Sequence, residues 1–169
     1  MKTIKLLAFP LLFVLITTCF VSCFGVPSSL KKEFTEAHNA IPPDFGKDNS
    51  TVFLVVLRGR GSYDKYVKGA VKKYYKGEYV FVNVKKESIN SEKYSDKNKY
   101  RYYFDYSDGS TITTTFTNGQ SASSTLKRFF VEDRLLNKRY QSGGESSLFG
   151  KALKAYMGNL EIKRLSFNQ

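Results

Sequence analysis

Thiols, imidazoles and indoles are almost missing from this chain of 169 residues, which holds two Cys, one His and no Trp. Both cysteines, Cys19 and Cys23, fall in the first 23 residues, so the remainder has no thiol for a disulfide, a nucleophile or a metal site. The single imidazole, His38, leaves Ser-His-Asp chemistry and His-rich metal centres without partners. No residue set calls for a cofactor or a metal. Proline stops at Pro43, and no second apolar block or internal repeat follows the first one, which argues for a single domain. Acidic residues are also scarce, with 15 Asp and Glu against 27 Lys and Arg.

What is present begins with an address. Lys2 and Lys5 precede an apolar run, Leu6 to Val21, broken only by Pro10, Thr17, Thr18 and Cys19, and Phe20-Val21-Ser22-Cys23 closes it. This pattern is shorter than the roughly 20 residues that cross a bilayer, and it reads as an export signal. Its last four residues resemble the lipobox of bacterial lipoproteins, departing from the usual aliphatic residue at Phe20. The resemblance covers residues 1–23 alone. It implies a diacylglycerol on Cys23, removal of the signal, and a membrane anchor; Phe24, in place of Asp, implies sorting to the outer membrane of a diderm cell. Plain secretion after cleavage near Cys23 or Gly25 is the alternative.

Removing Lys2 and Lys5 leaves the mature chain at about +10, which favours polyanions outside the membrane, such as anionic lipid or an anionic envelope polymer; another envelope protein is a further candidate partner. Nucleic acid is a poor fit. Lys76-Gly77-Glu78-Tyr79-Val80-Phe81-Val82 has the outline of an RNA-binding strand but places Glu78 where an aromatic is needed.

Residues 24–50 read as a tether with a short helix from Ser28 or Ser29 to Ala40, stopped by Ile41-Pro42-Pro43, and residues 51–169 as one domain. Thr51 to Leu57 is a continuous β-branched run that predicts a central strand. Arg58-Gly59-Arg60-Gly61 turns the chain, and Ser62 is placed to cap a helix to about Lys76, with Tyr63, Tyr66, Val67, Ala70, Val71 and Tyr74 on the inner side. Strands are predicted at Glu78 to Val84, at Tyr100 to Tyr106 and at Thr111 to Thr117, the last two joined by an Asp108-Gly109 hairpin with Ile112, Thr114 and Phe116 inward. A further strand covers Arg128 to Leu135, with a turn at Asn137 and a return to Gln141. Lys85 to Lys99 reads as an exposed loop, and Leu148 to Leu160 as a final helix. The predicted class is therefore α+β, a two-layer sandwich with a mostly antiparallel sheet of about four to six strands. A thioredoxin fold shares part of the order, but its Cys pair and its later proline are missing.

Two surface features could carry function. Arg58, Gly59, Arg60, Gly61 and Ser62 surround a helix start, where free amides and cations bind phosphate, sulfate or carboxylate. Lys65, Lys68, Lys72 and Lys76 recur on the outer side of that helix as a basic face. Together with Cys23 they point to a lipid-anchored, non-catalytic binding or scaffolding module of the cell envelope. The competing expectation is a secreted enzyme acting on envelope glycans through carboxylates such as Asp105, Asp108 and Asp133, which would then have to share a pocket.

Overall fold

The computed structural model describes residues 28–167. The expected export signal, Cys23 and the first residues after it lie outside that range. Five strands form one mixed sheet, with helices on one face. In chain order the elements are α1 (Ser28–Glu33), β1 (Phe53–Leu57), α2 (Gly61–Tyr74), β2 (Tyr79–Asn83), β3 (Tyr102–Thr115), β4 (Ser121–Asp133), β5 (Lys138–Gln141) and α3 (Phe149–Leu165). The strand order is β2-β1-β3-β4-β5. β1 runs parallel to both β2 and β3, whereas β3, β4 and β5 are antiparallel neighbours.

Every residue of β1 is buried, as its unbroken apolar run requires of a strand covered on both faces. Phe53, Val55 and Leu57 meet the helical layer together with Tyr102, Phe104, Tyr106, Phe129 and Val131. Leu54 and Val56 face the other way, with Val82, Tyr103 and Phe130. The helical side is largely aromatic: Phe129 meets Phe34, Phe149 and Tyr156 at ring separations of 5.5–5.7 Å.

Two expectations are corrected and a third is refined. Residues 28–50 are not a free tether. α1 stops at Glu33, a 3₁₀ turn follows at Glu36–His38, and Phe34, Ala40, Ile41 and Phe45 are buried in the main core. Asn159 donates to the carbonyls of Lys31 and Phe34, and the Tyr156 hydroxyl donates to that of Ala40 at 2.6 Å.

Lys85 to Lys99, expected as an exposed loop, is exposed along most of its length but is tied to the sheet through Ile89 and Tyr94. Because β3 is parallel to β1, the chain leaving β2 must cross the sheet to start β3 at the correct end. It crosses the face opposite the helices, with Tyr94 fully buried against Leu54, Val56 and Val82. Arg134, itself buried, holds the crossing by donating to the carbonyls of Ile89, Tyr94 and Tyr100 at 2.8–3.2 Å. Burial lowers its pKa.

The Asp108-Gly109 pair does not make the hairpin. β3 passes through it in a bulge between Asp108 and Thr111. The Glu145 carboxylate lies close over Gly109 and accepts from the Ser110 amide at 2.9 Å. The turn comes at Asn118-Gly119, with Gly119 at φ +81° and the Phe116 amide donating to the Gln120 carbonyl at 2.8 Å. Strands β3 and β4 are therefore longer than expected and leave the body as a two-stranded arm. On one side of it Thr111 meets Thr125, Thr113 meets Ser123 and Thr115 meets Ser121, hydroxyl to hydroxyl, at 2.9–3.1 Å. Ile112 and Phe116, expected inward, are exposed. No residue from Ser110 to Leu126 carries a charge.

Candidate functional site

The turn after β1 is built as its glycines suggest, but one of its two cations, Arg58, is already matched. Gly59 sits at φ +69°, in the left-handed region that a side chain disfavours. The Arg58 guanidinium makes a two-pronged pair with Asp105, both contacts at 2.8 Å, and lies 4.8 Å from the centre of the Tyr106 ring. The bond to Asp105 raises its pKa. The Asp64 carboxylate accepts from the Arg58 amide at 3.1 Å. The chain's own carboxylates thus occupy the place where an outside anion would meet Arg58. Ser62 is not the cap: α2 begins at Gly61 with Arg60 at the capping position and no side chain bonded to the free amides. Arg60 is exposed and has no carboxylate oxygen within 4 Å among the described residues.

α2 and α3 lie side by side and run parallel. Tyr66 of α2 approaches Gly150 near the start of α3, and Lys76, just past the end of α2, donates its amide to Glu161 near the end of α3. Val67, Ala70 and Val71 bury the inner side of α2. Lys65, Lys68 and Lys72 are exposed on the outer side, and Lys76 follows beyond the helix end. α3 adds Lys151 and Lys154, also exposed. The sequence read α3 only for its apolar stripe and so missed these two; their spacing between Phe149 and Tyr156 was the available signal. Tyr66, expected inside, is 54% exposed. With Ser62, Tyr63, Phe149, Lys151 and Lys154 it lines an open groove of about 550 Å³ between the two helix starts.

Six carboxylates elsewhere pair with other cations. Arg101 pairs with Asp133, Lys127 with Asp108, Arg128 with Glu145, Arg139 with Glu132, Lys163 with Glu36 and Arg164 with Glu161. None of Lys65, Lys68, Lys72, Lys151 or Lys154 has such a partner among the described residues. The result is an outer helical face with uncompensated positive charge.

Comparison with protein-family models, with curated proteins and with solved structures found no match.

The three aspartates named for glycan chemistry are not brought together. Asp133 is buried on the helical side of the sheet beside Arg101, and Asp105 extends from the opposite side toward Arg58. Asp108 sits at the bulge with Lys127, which together with its hydrogen bond holds the Asp108 carboxyl below its ordinary range. None of them lines the groove between the helix starts. Asp133 pairs with Arg101, not with its sequence neighbour Arg134, which clamps the crossing segment. His38 is exposed in its 3₁₀ turn, 3.1 Å from the Thr35 hydroxyl. No group of three or more His, Cys, Asp or Glu among the described residues is arranged to hold a metal ion.

Proposed function

We propose that this chain is an exported envelope protein, anchored by lipid on Cys23, that binds an anionic envelope component without catalysis through the outer face of α2 and α3. The observation that carries the reading is the set of exposed lysines on these two adjacent helices, Lys65, Lys68, Lys72, Lys151 and Lys154, which have no carboxylate partner among the described residues. Unpaired surface lysines facing one way attract an extended polyanion, each contributing about 1 kcal/mol near an anionic surface, and salt screens them. Parallel helix starts at one end of the face add positive potential there. Cys23 after an apolar run, with Phe24 behind it, supports the anchor and the outer-membrane address.

The test is a charge reversal. Lys68→Glu, Lys72→Glu and Lys154→Glu, combined, are expected to abolish retention on immobilised dextran sulfate at about 0.15 M salt while the thermal midpoint stays within a few degrees of wild type. Retention equal to wild type at every salt concentration would remove the helical face from the reading. Intact mass of the mature chain beside Cys23→Ala tests the anchor separately: acyl mass on the wild type and its loss in the variant are expected.

A further inference from the structure

The packing of residues 28–50 changes what an anchor at Cys23 would do. Only residues 24–27 separate Cys23 from α1, so the step from Cys23 to Ser28 spans at most about 18 Å even when fully extended. Lys31, one helical turn beyond Ser28, is bonded through its carbonyl to Asn159. Asn159 in turn lies about one turn before Ile162. The last turn of α3 is therefore near the point where the chain enters the body.

That turn is apolar on the outside. Ile162 is 68% exposed, Leu165 44% and Phe167 39%. Ile162 and Leu165 are three residues apart and share one side of the helix. Lys163 lies 4.5 Å from the centre of the Phe167 ring, and Lys31 and Lys32 are exposed on α1 with no carboxylate partner among the described residues. Ile162 also lines a groove of about 270 Å³ with Thr35, Glu36, Ile41, Asn159 and Ser166. The surface is thus an apolar patch flanked by cations, at the end of the molecule opposite the arm.

We propose that Ile162, Leu165 and Phe167 rest in the head-group region of an anionic bilayer and orient the body on the membrane, with the β3–β4 arm directed away from it. The proposal rests on the anchor at Cys23, because the short leash is what keeps the patch within reach of lipid. Charge complementarity selects the occupant: Lys31 and Lys32, exposed beside the patch, favour anionic head groups, while the three apolar side chains gain by leaving water.

The absence of other cysteines makes the test direct. Ile162→Cys, Phe167→Cys and, as a control at the arm tip, Thr117→Cys are labelled with an environment-sensitive fluorophore. The mature lipidated protein is reconstituted into vesicles of phosphatidylethanolamine and phosphatidylglycerol carrying a lipid-bound quencher. Quenching at positions 162 and 167 at least about threefold greater than at 117 is expected. Equal quenching at all three positions overturns the proposal. Intact mass of the same samples reports the anchor independently. Should acyl mass be missing, the anchor reading fails, and the same labels in a Cys23→Ser chain mixed with the vesicles still decide the patch: greater quenching at 162 and 167 upholds contact with lipid, equal quenching overturns it.

Discussion

Single polar atoms in the aromatic core differ sharply in what they contribute. Tyr156 is fully buried, its hydroxyl is bonded to the Ala40 carbonyl, and burial holds its pKa well above the ordinary phenol range. Tyr106 is equally buried, but its hydroxyl has no hydrogen-bond partner among the described residues. A buried acceptor that loses its donor costs about 1–3 kcal/mol, whereas removing an unmatched hydroxyl relieves a desolvation cost. Tyr156→Phe is therefore expected to lose about 1–2 kcal/mol in urea unfolding, and Tyr106→Phe to be neutral or slightly stabilising. Equal losses in both variants would show that the Ala40 contact is not what holds the N-terminal segment down. Spacing alone sets Tyr106 on one strand face with Tyr100, Tyr102 and Phe104, and Tyr156 in one helical stripe with Leu148, Phe149, Ala152, Leu153, Met157 and Leu160. It could not separate them, because the bond to Ala40 joins residues 116 positions apart.

At the scale of elements, the local patterns were legible and the crossings were not. β1, β2, the Asn137 turn, α2 and α3 follow from runs, alternation and helical spacing. The hairpin was misplaced by one rule applied at the nearer of two matches. Asp108-Gly109 and Asn118-Gly119 both satisfy the turn pattern, and the pairing of β3 with β4 continues past the first to Thr115 opposite Ser121, so the chain reverses at the second. For the crossing segment, polar composition describes its exposed side, whereas the parallel pairing of β1 and β3 dictates its path. Arg134 is its fastening. Replacing it with Gln is expected to leave the helical layer intact but free the crossing, with trypsin cutting first at Lys93, Lys97 and Lys99 and wild type resisting under the same conditions. Cleavage appearing instead at α2 or α3 would mean that the two faces of the sheet unfold together. Of the candidate site, the α2 lysines and the turn glycines were legible; the neutralisation of Arg58 by Asp105 depends on strand register and was not.

For the whole molecule, ionisation closes the stability range from both sides. The Asp48, Asp108 and Glu145 carboxyls are held below their ordinary values, chiefly by hydrogen bonds from Ser50, Lys127 and Ser110. Burial pushes Glu161 up, but the bonds from Arg164 and the Lys76 amide outweigh it and leave it low. The folded state then binds fewer protons than the unfolded one, so this stability is present above the unfolded carboxyl range near pH 4 and is lost as pH falls through the lower folded values. Buried phenols act on the other side: desolvation raises Tyr75, Tyr102, Tyr103 and Tyr156. Their contribution is complete below pH about 10 and is lost as pH rises toward the folded values. A plateau in melting temperature between about pH 5 and pH 9, falling on either side, is expected by scanning calorimetry; a midpoint that keeps rising below pH 4 would contradict the acid arm. The same architecture also sets an order of events. Phe34 packs on Tyr156, Asn159 holds Lys31 and Phe34, and the Ser142 hydroxyl donates to Glu33, so the first described residues dock on the last third of the chain. Contacts between segments so distant in sequence make folding slow and late. A growing chain has no finished core to fall into until α3 has been made, and Phe34, Ile41 and Phe45 stay uncovered until then.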